Sequence, residues 1–245
     1  MKNVNLFLLI SLFIIVQSVT AFSQVLDWVY PIKPGSEEWM NILKSEGLGG
    51  IDAKLRIPED VLQKMTTRQL FKAWMDYPMR SLINAFNTYQ AGFEAQIKRS
   101  NALKVLLERE DAGKAIFQEY KLLLSGTDTT KGIITNVKDI SYVELLISQE
   151  KILNKLSKNE KTDLLKFSLD NEQKRKEYRK GSLLAIGGIL LEGRVLINLD
   201  DKEFKEIISK DRTVESYFQN VEMLSISKET ENKINDIAKK YVKIK

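Results

Sequence analysis

Apolar positions recur along this chain at helical spacing, and one segment departs from that rule by being oily on most of its sides. Within Gly181–Leu199, GSLLAIGGILLEGRVLINL, one helical line carries Leu183, Ile186, Leu190 and Ile197. A second line carries Leu184, Leu191 and Val195, and Ile189 and Leu196 widen the surface. A helix that is apolar on most faces has to be wrapped by other elements. The pattern therefore predicts a central buried helix at about 182–199, with amphipathic helices around it.

Those helices can be placed from their caps and breaks. Ser36 precedes a short helix, Glu37 to Ser45, which Gly47, Gly49 and Gly50 stop. Pro58 followed by Glu59 and Asp60 marks a helix start. Thr66 or Thr67 caps a second helix over Arg68–Asp76, with Leu70, Phe71 and Trp74 turned inward and Tyr77-Pro78 as its end. Gly92–Arg99 reads as helical, and Asn101 as a break and cap before Ala102–Glu108. Asp111 caps Ala112–Leu124, in which Ile116, Tyr120 and Leu123 repeat at helical spacing.

Ser125–Gly132, SGTDTTKG, is polar and glycine-bounded, and divides the chain into a helical half at 24–125 and another at 133–245, or lies within one continuous domain. Beyond it, Ser141 caps Tyr142–Leu156, and Ser157 caps a long charged helix to about Arg179. Asp200 or Asp201 starts a helix through Ile208, Thr213–Gln219 is a turn of helix, and Lys228–Tyr241 is the last. The expected fold class is all-α, an irregular helical bundle or a degenerate array of helical hairpins. No fixed repeat period is present. The competing reading is α+β, with Gly188–Leu199 as a buried strand.

The amino terminus follows a different rule. Met1–Gln24 has Lys2, then the apolar run Leu6–Val16, then small residues at Ala21 and Ser23. This is the layout of a secretory signal peptide, with cleavage after Ala21 or Ser23. The run is eleven residues long, short of the ~20 that a spanning helix needs. No cysteine follows to carry a lipid anchor. The expected location is outside the cytoplasm, periplasmic or at the cell surface.

Composition then narrows the chemistry. The chain has 245 residues with no cysteine and no histidine. Disulfides, Ser–His and Cys–His nucleophiles and His-ligated metals are all excluded. The net charge of +5 is a local property: residues 151–180 carry ten Lys and Arg (Lys151, Lys155, Lys158, Lys161, Lys166, Lys174, Arg175, Lys176, Arg179, Lys180) against five acids. That stretch is a solvated helix face, or else a contact for acidic lipid or another polyanion. Export and sparse aromatics (Phe167, Tyr178) argue against nucleic acid. The basic tail Lys239–Lys245 is read the same way.

Candidate sites have structural readings beside them. Gly181, Gly187, Gly188 and Gly193 fit close helix packing, since no phosphate-loop motif surrounds them. All three tryptophans, Trp28, Trp39 and Trp74, lie in the first third of the chain. Trp74 has core spacing with Leu70, and Trp28 with Tyr30 forms a strap over the core or else an exposed aromatic platform of the kind that binds sugars and peptides. The acid pairs Glu59/Asp60, Glu110/Asp111 and Asp200/Asp201 stand at helix starts, though two carboxyls facing across a groove would serve glycan hydrolysis. No catalytic residue, cofactor site or metal site is assigned.

The block Leu55–Leu124 resembles a group of uncharacterised secreted helical proteins from Gram-negative bacteria. The matching residues are Arg56–Leu62, Met65-Thr66-Thr67, Leu70, Tyr77-Pro78, Gly92–Ala95, Asn101, Leu106-Leu107, Arg109, Asp111-Ala112 and Tyr120. The resemblance implies export and an all-helical fold, and carries no activity or site. Together these readings lead to a non-enzymatic exported module binding a protein or envelope component, with a carboxylate-dependent hydrolase of envelope glycan or peptide as the alternative.

Overall fold

The computed structural model describes residues 27–125, 139–180, 189–222 and 226–243. Among these residues the fold is all-α. Its α-helices are α1 (Glu37–Lys54), α2 (Glu59–Leu62), α3 (Thr67–Met75), α4 (Tyr89–Arg99), α5 (Asn101–Glu108), α6 (Ala112–Ser125), α7 (Ile140–Ile147), α8 (Glu150–Leu153), α9 (Lys158–Asp170), α10 (Glu172–Arg179), α11 (Leu190–Asn198), α12 (Lys202–Lys210), α13 (Arg212–Asn220) and α14 (Lys228–Lys243). A 3-10 turn, Arg80–Ala85, stands before α4. An isolated antiparallel bridge pairs Thr88 with Glu222.

The caps explain most of the helix starts. Thr66 and Gln69 form a reciprocal capping box at α3, and Ser157 and Glu160 do the same at α9. Asp201 accepts from the Phe204 amide to start α12, and Asp211 caps α13. Each side-chain cap satisfies an otherwise orphaned amide, worth about 1 kcal/mol. Leu70, Phe71 and Trp74 of α3 are all fully buried, as their spacing required.

Several boundaries differ from the sequence expectation. Helix α1 does not stop at Ser45: Gly47 breaks it at φ 67° and the helix resumes to Lys54. Only glycine adopts that left-handed break without a steric cost. Ser100, rather than Asn101, caps α5. Asn101 instead points across to Ile57, donating to its carbonyl at 2.8 Å and accepting from its amide at 3.2 Å. Ser141 caps nothing. It lies buried in α7, and the helix expected through Leu156 breaks at Ser148-Gln149. The long charged helix likewise breaks at Asn171, between α9 and α10.

The segment 189–199 is helix and not strand. Ile189, Leu190, Leu191, Val195 and Leu196 are buried, and α11 packs against α7, α8, α9, α12, α13 and α14. It is therefore the hub of the second half. Ile197, placed on the apolar line by spacing, is 36% exposed. The remainder of the expected central helix, at 181–188, with Gly181, Gly187 and Gly188, lies outside the described residues. Gly193 does serve close packing, because a Cβ there would run into the Phe218 ring.

Buried side chains of both halves form one hydrophobic cluster. Phe117 and Tyr120 on α6 meet the Phe167 ring of α9 edge-on, with centroids 6.0 and 5.9 Å apart. At the amino end Trp28 and Tyr30 cross the core as a strap, and the Tyr30 hydroxyl donates to the Ala73 carbonyl at 3.0 Å. No described helix is long and apolar enough to cross a membrane.

Candidate functional site

Helix α11 carries two charges, Glu192 and Arg194, at positions two apart. Successive helical residues turn by ~100°, so the two project about 200° apart, on opposite sides of the helix. One of them faces the core and the other faces a cleft.

On the core side, Glu192 meets Arg175 of α10. Arg175 also donates through Nε to Glu144 Oε1 of α7 at 2.7 Å and through Nη1 to the Ser168 carbonyl at 3.2 Å. Tyr120 of α6 donates its hydroxyl to the same Glu144 oxygen at 2.8 Å. Arg179 stands 3.3 Å from the other Glu144 oxygen. Arg175, Glu144 and Glu192 are each 1% exposed or less.

Two guanidinium groups against two carboxylates leave this cluster formally neutral, which is the condition for keeping charges out of water. Burial by itself would raise the Glu144 carboxyl. Arg175 and Arg179 beside it, with hydrogen bonds from Arg175 and Tyr120, outweigh that and hold it below the usual glutamate range. Burial likewise opposes the Arg175 charge, and Glu144 and Glu192 overcome it and raise Arg175 further. At neutral pH Glu144 is thus a buried carboxylate held by its two arginines and Tyr120. This facing pair of acids is a lock between helices and does not meet the requirements of glycosidic hydrolysis.

On the other side of α11 lies an open cleft of about 590 Å³. Helix α4 contributes Gln90 and Glu94. The break between α7 and α8 contributes Ser148 and Gln149, and α8 contributes Glu150 and Leu153. Helix α11 contributes Arg194, Ile197 and Asn198, Asp200 follows it, and the end of α13 supplies Phe218 and Gln219. Its lining combines apolar side chains, Leu153, Ile197 and Phe218, with a few polar and charged groups.

A single directed chain of hydrogen bonds crosses it. Arg194 Nη2 donates to Gln90 Oε1 at 2.9 Å, Gln90 Nε2 donates to Gln149 Oε1 at 3.1 Å, and Gln149 Nε2 donates to the Leu145 carbonyl at 2.8 Å. Every donor has an acceptor in that sense, which fixes the orientation of both amides. Arg194 also donates from Nε to the Phe218 carbonyl at 3.0 Å and from Nη2 to the Gln219 carbonyl at 3.2 Å. A cation there satisfies the last carbonyls of α13 and complements its dipole. Val221, just beyond, takes the left-handed conformation at φ 51°, and its carbonyl accepts from Tyr89 at the start of α4. Helices α13, α4 and α11 are thereby pinned together at the cleft.

The acid pairs separate into different duties. Glu59 and Asp60 lie in the first turn of α2, and Asp111 accepts from the Thr67 hydroxyl at 2.5 Å. Asp201 is a cap, whereas Asp200, at φ 62°, borders the cleft and pairs with Lys205. The basic stretch also divides. Arg175 and Arg179 turn into the core, Lys151, Lys155 and Lys176 pair with Glu108, Glu110 and Glu172, and the others stay on the outer surface.

Gln90, Ser148 and Gln149 are invisible to motif reasoning. The usable signal was the Glu-x-Arg spacing inside an apolar helix, since two charges two residues apart cannot share one face. Among the described residues no three acids gather as a metal-binding group. Comparison with family models, with curated proteins and with solved structures finds no match for this chain.

Proposed function

We propose that this protein is an exported, non-enzymatic binding module of the bacterial envelope, acting in the periplasm or at the cell surface, and that it holds its partner in the cleft beside α11. The observation that carries this reading is the Arg194–Gln90–Gln149 chain. It is a preorganised row of polar groups in an open cleft, held at its ends by the Phe218, Gln219 and Leu145 carbonyls, on a helix whose opposite side is locked by the buried Arg175–Glu192 pair. Small-ligand sites have this composition, apolar surface with a few fixed polar groups, at ~300–1,000 Å³. The signal-like amino terminus and the resemblance over Leu55–Leu124 support export.

The test is capture from the envelope fraction with the mature chain and with Ile197→Arg. Ile197 lines the cleft and is exposed, so the variant leaves the core intact. A component retained by the parent and lost by the variant, at equal melting temperature, is the expected result. Identical retained sets would overturn the reading.

A second reading, hydrolysis of envelope glycan or peptide, draws on Glu94, Glu150 and Asp200 at the same cleft. Release of new reducing ends or new amino groups, abolished in Glu94→Gln or Glu150→Gln, would favour it.

A further inference from the structure

Of the five N–H groups of a guanidinium, Arg194 commits three to Phe218, Gln219 and Gln90. The two on Nη1 have no partner among the described residues, and Arg194 lines the cleft. No carboxylate lies in ion-pairing range of Arg194 among those residues. Burial draws its pKa down to about 10, so it is still a cation at neutral pH. A half-buried positive charge with two spare donors therefore faces the cleft. Glu94 and Glu150, both exposed, stand at the rim.

This combination discriminates among ligands. A polyanion would gain Arg194 and be repelled by the rim acids. A purely cationic ligand would meet Arg194 inside. A neutral saccharide would leave the Arg194 charge uncompensated. A ligand with a carboxylate at one end and a basic group a few atoms away satisfies all of these groups, with the exposed Ile197 beside them for its apolar parts.

We propose that the cleft binds the carboxyl-terminal end of a short basic peptide, its carboxylate on Arg194 Nη1 and its amino or guanidinium groups at Glu94 and Glu150. This rests on the reading of the cleft as the recognition site. The cleft volume of about 590 Å³ suits a few residues and not a folded domain.

The test is titration calorimetry of the mature chain with three probes: the tripeptide Lys-Ala-Lys as free acid, the same tripeptide as its carboxamide, and chitotriose. The free acid binds one per chain. Amidation weakens it by about tenfold or more, the scale of a lost charge-assisted hydrogen bond. Glu94→Gln and Glu150→Gln each weaken it several-fold and flatten its salt dependence. These exposed positions leave the fold untouched, which matters because Arg194 also caps α13. Equal binding of acid and carboxamide, or no binding of either peptide, overturns the proposal. Chitotriose binding in place of the peptides also overturns it but leaves the cleft as a recognition site. If no probe binds and Ile197→Arg still captures the parent's full set of components, the proposal and the functional reading fall together.

Discussion

The hydroxyl of Tyr120 and the carboxylate of Glu144, 24 residues apart, are joined at 2.8 Å with both groups buried. This contact ties α6 of the first half to the ion cluster of the second. Tyr120→Phe removes the donor and leaves Glu144 with its two arginines, so we expect a loss of about 1–2 kcal/mol. Glu144→Gln leaves buried positive charge in excess, and the expected loss is about 3–5 kcal/mol. Urea unfolding at neutral pH measures both.

The same pair contributes to the response to acid. The Glu144 carboxyl titrates lower in the folded chain than its ordinary value of 4.5. Between the two values the unfolded chain binds more protons, so stability rises with pH there. The contribution is complete above the ordinary value and is lost as pH falls through the folded one. Tyr120→Phe removes one of the hydrogen bonds that hold the carboxyl down. Its acid unfolding transition is therefore expected at higher pH than the parent's, read by circular dichroism across an acid titration.

Two glycines are held by close approach. A Cβ on Gly92 would collide with the Ile83 carbonyl oxygen and come within 2.8 Å of Ile83 Cα, which is backbone and cannot swing away. Alanine gains ~1 kcal/mol in helix propensity, but Gly92→Ala should still destabilise by about 1–3 kcal/mol through overpacking. Gly193→Ala pushes instead on the Phe218 ring, a lining residue of the cleft. It should shift Phe218 resonances as well as lower the melting temperature.

At the start of α9, Ser157 donates from its backbone amide and its hydroxyl to Glu160, and these bonds, with help from Lys114, hold the Glu160 carboxyl below the usual range. Ser157→Ala removes the hydroxyl donor and the cap together. The variant should lose about 1 kcal/mol of stability, and Glu160 should titrate closer to an ordinary glutamate by NMR.

Local physics made much of this fold readable. Leu70, Phe71 and Trp74 announced a buried face, and Thr66, Ser157 and Asp201 announced helix starts, because caps and periodicity act within a turn or two. The breaks at Ser148-Gln149 and Asn171 carried no proline or glycine to mark them. They arise because α8 and α10 must pack elsewhere, which is a tertiary demand. Arg175 looked like one more solvated cation in a basic run. It is buried because Glu144 and Glu192, 31 and 17 residues away, are there to meet it. The cleft was illegible for the same reason: Gln90 reaches Arg194 across 104 positions of sequence.

That long reach has a consequence for how the molecule comes into being. Synthesis runs from the amino terminus, yet the walls of the cleft are shared between Gln90 and Glu94 early in the chain and Arg194, Phe218 and Gln219 close to its end. A nascent chain that has extended through α8 already contains the glutamines but has no cation to align them. The cleft is therefore a property of the finished product alone. Neither a truncated copy nor a fragment inherited by another gene would take it along.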